Sequence, residues 1–288
     1  MTDEPTPGFS RIAIINRGEP AMRLINAVHD LNLERGTNLQ TIALYTTVDR
    51  GAMFVREADE SFELGPALSI NEQGDRDVGY LDYASLEQGL LAARADAAWA
   101  GWGFVAEHPA FVELCDRLGV TFVGPDAETM RALGDKITSK RIAEGAGVPV
   151  VAWSAGAVDS VEEAGAVATR LGYPLMIKAT AGGGGRGIRR VGSPTELGPA
   201  FEAARAEARS AFGDPTVFLE SFVSAARHIE VQIMGDAAGT IWALGARDCS
   251  VQRKHQKMIE EAPPPGLSES EQEALLDAAG RIGRSAGY

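Results

Sequence analysis

Along the first half of the chain, short apolar runs alternate with stretches whose apolar residues recur every three or four positions. Arg11-Ile12-Ala13-Ile14-Ile15 reads as a buried strand, and Asn16 to Pro20 as a turn. Ala21 to Leu33 carries Met22, Leu24, Ile25, Val28 and Leu31 at mostly helical spacing, and Thr41 to Tyr45 is a second strand. Strand, helix, strand predicts a right-handed βαβ unit with a parallel sheet. A helix over Leu81 to Arg94, a strand at Ala97 to Ala100, a glycine-aromatic turn at Gly101 to Phe104, a helix over Ala110 to Leu118 and a strand from Thr121 continue the alternation. The pattern predicts a doubly wound α/β domain over 11–130, after a lead-in at 1–10 that is expected to be disordered. Trp99 and Trp102 are expected to pack in its core.

The second half changes rhythm. Ala127 to Leu133 reads as a helix, Gly134-Asp135 as a break and the residues from Lys136 as another helix, closed by Gly147-Val148-Pro149. Val161 to Leu171 and Thr195 to Ala211 are amphipathic helices around a strand ending at Lys178, a second short strand from Ile188, and the apolar run Val217 to Val223. Segment 131–224 therefore reads as linker helices and a small α+β lid. His228 to Met234 alternates with period two, which puts His228, Glu230 and Gln232 on one polar face, and Thr240 to Leu244 is the return strand of a hairpin. Arg247 to Lys257 is a dense basic stretch, open between a solvated loop and a cluster facing an anion. Ser268 opens a final helix towards Tyr288. Segment 225–288 reads as the beginning of a third domain.

Composition narrows the function. A hydrophobic fraction of 45% and a charged fraction of 23% over 288 residues are those of an ordinary globular protein. A net charge of −13 argues against a nucleic-acid partner, which needs a basic face. Cys115 and Cys249 have no metal-ligand spacing and read as free thiols in a reducing compartment. No apolar run reaches the roughly 18 residues of a membrane span. The acidic, Pro-rich start reads as neither a signal nor a transit peptide. The expected location is the cytoplasm, with no membrane partner.

The candidate chemistry lies in the second half. Four consecutive glycines, Gly182 to Gly185, stand between the strand that ends near Lys178 and the strand from Ile188. Without side chains, successive backbone N–H groups can point at one anion. Strand, glycine loop and strand, with Lys178 at the entrance, reads as a flap over polyphosphate; the plain alternative is a glycine-rich hairpin with no ligand. Arg186 follows the glycines where a P-loop needs Lys-Ser/Thr and a helix, and the first turn has no Gly-x-Gly-x-x-Gly, so neither of those phosphate sites is present. Lys136 is open between a solvated lysine and a phosphate ligand. Glu220 is costly inside an apolar run unless paired, and reads either as an acceptor for a ligand amine or hydroxyl or as an outward-facing residue. His228 and His255 lack the further ligands that zinc requires.

The order Ile15-Asn16-Arg17-Gly18-Glu19, Gly134-Asp135-Lys136, Lys178 with its glycine loop, Arg227-His228-Ile229-Glu230-Val231-Gln232, and Arg247-Asp248-Cys249-Ser250 through His255-Gln256-Lys257 to Glu260-Glu261-Ala262-Pro263 resembles the biotin carboxylase component of the biotin-dependent carboxylases, a branch of the ATP-grasp superfamily. The resemblance covers nearly the whole chain after the lead-in. It implies a doubly wound N-terminal domain, an ATP-grasp lid and the start of the ATP-grasp C-terminal domain. It also implies an ATP-dependent ligase that activates bicarbonate as carboxyphosphate and carboxylates biotin on a carrier domain. By that resemblance Lys136 and Lys178 hold nucleotide phosphates, Gly184 and Gly185 close over them, Glu220 and Val223 lie on the adenine side, His228 and His255 are further nucleotide contacts, and Lys257 contacts bicarbonate. The implied partners are a biotin carboxyl carrier domain and a carboxyltransferase, in a homo-oligomeric parent. Trp99-Ala100-Gly101-Trp102-Gly103-Phe104 stands where the family often has His-Pro-Gly-Tyr-Gly-Phe, a variant similar to fused acyl-CoA carboxylases, which would place the parent in fatty acid metabolism. Ala246 stands where a glutamate often precedes Arg-Asp-Cys. The family's magnesium-binding glutamates, catalytic base and reactive arginines follow the position matching Tyr288, so the chain is expected to be truncated and inactive alone. The alternatives are another ATP-grasp ligase, of carbamoyl-phosphate or peptide type, and a non-catalytic assembly module.

Overall fold

A computed structural model of the chain describes residues 8–70, 76–181, 186–253 and 256–288. Residues 1–7 of the expected lead-in lie outside that set; Ser10 donates from both its N and its Oγ to Asp96 Oδ2, at 2.9 Å each. The chain divides into two compact units, Met1–Met130 and Arg131–Tyr288.

The first unit runs through β1 (Arg11–Ile14), α1 (Gly18–Arg35), β2 (Gln40–Thr46), α2 (Met53–Glu57), β3 (Glu60–Gly65), the hairpin strands β4 (Leu68–Ile70) and β5 (Arg76–Val78), α3 (Tyr83–Ala92), β6 (Ala97–Trp99), α4 (Pro109–Leu118) and β7 (Thr121–Phe122). Five strands form one parallel sheet in the order β3-β2-β1-β6-β7. Both faces are covered, which is why the central strands are continuous apolar runs instead of alternating ones. Ala13, Ile15, Ile42 and Leu44 meet Leu86 and Leu90 of α3 and Phe111 and Leu114 of α4. On the opposite face Ile14 and Ala43 meet Ala21 and Ile25 of α1 and Phe54 of α2. This is the doubly wound architecture expected from the sequence.

Two local expectations change. Asn16 to Pro20 is not a free-standing turn, because α1 already begins at Gly18 and accommodates Pro20 in its first turn, where a missing N–H costs nothing. Buried Asn16 fixes the entry: its Nδ2 donates to the carbonyls of Ala100 and Trp102 at 2.8 and 2.9 Å. Arg17 beside it pairs with buried Asp49 and holds that carboxyl below the usual range. Trp102 is not in the core: it is 57% exposed, with its ring edge-on to the half-buried Trp99.

Helix α5 (Ala127–Gly134) contains the boundary between the units. The second unit continues with α6 (Lys136–Gly145), α7 (Val161–Leu171), β8 (Leu175–Ala179), β9 (Ile188–Val191), α8 (Pro194–Phe212), β10 (Val217–Ser221), β11 (Ile229–Gly235), β12 (Ile241–Arg253), β13 (Gln256–Glu261) and α9 (Glu269–Ala286). The break read at Gly134-Asp135 is the N-cap of α6, where the Asp135 carboxylate accepts from the Thr138 amide at 2.7 Å.

One antiparallel sheet has the order β10-β8-β9. Leu175, Ile177, Val191, Val217 and Leu219 on one of its faces pack against Ala164 and Val167 of α7 and Leu197, Phe201 and Ala204 of α8. The period of two sends Met176, Lys178, Phe218 and Glu220 to the other face. There Phe218 meets Trp153 and Ile137 of α6. At the far end of the β8–β9 hairpin, Gly187 has φ +67°, and a Cβ on it would lie 2.7 Å from the Cβ of Ala179, so only glycine fits. The glycine loop at 182–185 lies outside the described residues.

A second antiparallel sheet has the order β11-β12-β13. Strand β12 is longer than expected: it does not stop at Leu244 but runs on to Arg253, so the basic stretch is strand from Arg247 to Arg253. Helix α9 opens with a capping box of Ser268 and Glu271 and lays Gly283 on Ile241 and Ile233. Arg281 of α9 donates to the carbonyls of Ala146 and Gly147 at 2.8 and 3.0 Å, tying the helix to the end of α6.

Candidate functional site

Three lysines and one glutamate of the second unit converge between α6 and the open face of the β10-β8-β9 sheet. Lys178 of β8 and Glu220 of β10 point to the same side, and the Lys178 ammonium pairs with Glu220 Oε1. Lys140 Nζ lies 3.0 Å from Glu220 Oε2. Lys136 stands one turn before Lys140 on the same face of α6, and its Nζ donates to the Thr180 carbonyl just past β8 at 3.3 Å. Glu220 is only 7% exposed. Burial opposes its charge, but the ion pairs with Lys178 and Lys140 outweigh that and hold its carboxyl below the usual range. Burial and the neighbouring charge of Lys178 push the Lys136 ammonium the opposite way from an ordinary lysine, towards losing its proton. Lys136 and Lys178 thus repel each other, and a polyanion placed between them would relieve the repulsion.

A second constellation lies across the β11-β12-β13 sheet. Register places Glu230 opposite Arg247. Glu230 pairs with Arg247 through Oε1 and accepts from Lys257 Nζ through Oε2 at 2.5 Å. His228 Nε2 lies 3.6 Å from the same Oε2. On its other side, His228 Nδ1 meets Gln252 Nε2 at 2.8 Å. An amide nitrogen can only donate, so Nδ1 of His228 is the acceptor in that contact. Arg247 also reaches Glu260 Oε2 at 3.0 Å. Burial disfavours the charge of Glu230, but Lys257 and Arg247 prevail and its carboxyl stays below the usual range.

The sequence-predicted residues thus fall into two groups on described elements. Lys136, Lys178 and Glu220 come together, as do His228 and Lys257. Val223 follows β10 and is 52% exposed. Gly184, Gly185 and His255 lie outside the described residues. Sequence reasoning did not select Lys140, Arg247 or Gln252 as site residues. The four-residue spacing of Lys140 from Lys136 could have found the first.

Magnesium does not fit what is described. Glu230, Cys249 and Glu260 bring ligand atoms within 4.8 Å of one another. However, Arg247 pairs with both carboxylates, and a buried thiol is a soft donor that magnesium does not favour. A cation is already built into that place.

Comparison with known proteins gives the arrangement a family. A family model described as the biotin carboxylase N-terminal domain matches residues 8–130. One described as the carbamoyl-phosphate synthase L chain ATP binding domain matches residues 135–288. Biotin carboxylase 1 of Bacillus subtilis is 40% identical over 280 residues, which is 97% of this chain and 59% of that protein. The biotin carboxylase of Campylobacter jejuni, solved as a β,γ-ATP complex, superposes with a TM-score of 0.87 at 37% identity, covering 97% of this chain and 60% of that one. The biotin carboxylase domain dimer of Hydrogenobacter thermophilus 2-oxoglutarate carboxylase, solved with MgADP, ADP and bicarbonate, gives a TM-score of 0.84 at 37% identity, over 97% of this chain and 59% of that one. These matches define an ATP-grasp protein. The chain belongs to the biotin carboxylase family, and it spans about three-fifths of these relatives.

Proposed function

We propose that the chain forms the N-terminal domain, the lid and the beginning of the C-terminal domain of a biotin carboxylase. The reaction is ATP-dependent activation of bicarbonate followed by carboxylation of biotin on a carrier domain. A bicarbonate oxygen attacks the γ-phosphorus of ATP and ADP leaves; the carboxyphosphate formed splits into carbon dioxide and phosphate, and N1 of biotin bonds to the carbon dioxide as its proton passes to the phosphate. Phosphoryl transfer of this kind asks for little covalent help and for much positioning and neutralisation of charge. The observation that carries the reading is the convergence of Lys136, whose Nζ reaches the Thr180 carbonyl, and Lys178 at the end of β8, a few residues before the glycine run in the sequence. Two amines so placed suit the role of a phosphate clamp. On the β11-β12-β13 sheet, Arg247 and Lys257 balance Glu230 and Glu260, and their N–H groups are the donors that a small anion such as bicarbonate would use there.

Magnesium, as in the Hydrogenobacter complex, would bind through ligands beyond Tyr288. The parent is proposed as a cytoplasmic, homo-oligomeric acyl-CoA carboxylase with carrier and carboxyltransferase domains, and the 288-residue chain as inactive alone. The test is ATP hydrolysis by the full-length protein with biotin and with bicarbonate present or withheld. Hydrolysis is expected to need bicarbonate, and none is expected from the isolated chain. Turnover that instead follows ammonia or an amino acid would assign a different ATP-grasp ligase.

A further inference from the structure

Glu220 has two ammonium partners on two different elements, and they are not equivalent. Lys178 of β8, on Oε1, keeps 29% of its side chain exposed; Lys140 of α6, on Oε2, keeps 18%. The Lys140 ammonium is also boxed by aromatic rings, 5.6 Å from the centroid of Trp153 and 5.9 Å from that of Phe218. Those two rings are edge-to-face to each other and buried, so they form a fixed corner. Lys140 is therefore confined on three sides, while Lys178, one residue before the end of its strand, is the more exposed of the two.

If a nucleotide binds as proposed, Lys178 has to leave Glu220 for a phosphate oxygen, and Oε1 becomes available to an N–H of the base. Removing the only partner of a buried carboxylate is strongly unfavourable, so the exchange needs a second cation that stays behind. We infer that Lys140 is a positioning residue: held by Trp153 and Phe218, it remains on Oε2 of Glu220 and keeps this carboxylate charged and oriented while Lys178 transfers from Oε1 to the nucleotide phosphates. Lys140 touches no substrate in this scheme and acts only through Glu220. The inference rests on the nucleotide reading of the site.

The test is steady-state kinetics of the full-length protein with ATP as the varied substrate. Without Lys140, Glu220 grips Lys178 as its last partner, and Lys140→Met is expected to raise the KM for ATP about tenfold while kcat changes by less than about twofold. Lys140→Arg, which can still pair and lie against the rings, is expected to bring KM back to within about threefold of the wild type. In a Glu220→Gln background there is no carboxylate to hold, so adding Lys140→Met should change KM by less than about twofold. An equal rise in both backgrounds would show that Lys140 meets the nucleotide directly and would overturn the inference. An unchanged KM in Lys140→Met, or a loss confined to kcat, would overturn it as well. Should Lys140→Met not fold, Lys140→Gln carries the same expectations. Lys136→Met separates the two levels: if it leaves the KM for ATP unaltered, the nucleotide reading itself fails, whatever Lys140 does.

Discussion

Lys178→Met is expected to lower bicarbonate-dependent ATP hydrolysis by the full-length protein about a hundredfold or more, the size of effect seen when one preorganised charge-stabilising group is removed from a phosphoryl- or acyl-transfer site. The loss should be carried mainly by kcat, because the charge on the transferring phosphoryl group needs this ammonium most in the transition state. The fold should survive. Lys178 sits on the face of β8 turned away from the lid core, and Glu220 keeps Lys140 at 3.0 Å after the substitution. The thermal midpoint is therefore expected to move by only a few degrees. A variant that loses turnover only because it unfolds would give a collapsed midpoint instead, and one that turns over normally would remove Lys178 from the site.

Glu220→Gln carries the second large effect, this time on stability. The substitution keeps the shape of the side chain but removes the one carboxylate paired with Lys140 and Lys178. Breaking a buried pair by removing one partner costs about 3–5 kcal/mol, and the partial exposure of both lysines reduces this to about 2 kcal/mol. Added pyrophosphate should restore more stability to the variant than to the wild type, because the anion takes over the missing negative charge. The pH dependence has a definite sign. The folded-state carboxyl of Glu220 lies below its unfolded value, so its contribution is fully present above the unfolded pKa of about 4.3 and fades as pH falls through the folded value. Urea unfolding followed from pH 7 towards pH 3 should show this acid-side component in the wild type and a smaller one in Glu220→Gln. Equal slopes would mean that the carboxylate does not hold the lysines together.

Much of the fold was legible because burial wrote it into the order of residues. β1 and β2 are apolar on both faces of a parallel sheet, and α7 and α8 have apolar stripes that meet one lid core. β3 was missed because it is an edge strand whose outer residues are exposed, leaving Phe62 and Leu64 as its inward signal. The extension of β12 through Arg247 to Arg253 was missed for a related reason. Its Arg247 is paired with Glu230 and Glu260 of the two neighbouring strands, and the polar pattern of such a strand resembles that of a loop. Trp102 misled in the other direction: a tryptophan favours burial, but here the tight turn between two positive-φ glycines, Gly101 and Gly103, holds it outward.

The site was half legible. Lys136, Lys178 and Glu220 could be singled out because each is a charge in a place that a regular element does not need it. What the residues alone could not supply was their mutual pairing. That depends on the register that sets Phe218 opposite Lys178 and on the turn of α6 that brings Lys140 over Trp153. Lys140 itself was not singled out in the sequence, and only the tertiary position of Glu220 gives it a task.

The most direct measurement is a crystal structure of the full-length protein with a non-hydrolysable ATP analogue. The expected result has Lys136 Nζ and Lys178 Nζ both within about 3.2 Å of phosphate oxygens of one nucleotide, and Lys178 parted from Glu220. A nucleotide whose phosphates lie away from both amines, with the Lys178–Glu220 pair still closed, would contradict the phosphate clamp and the function proposed from it.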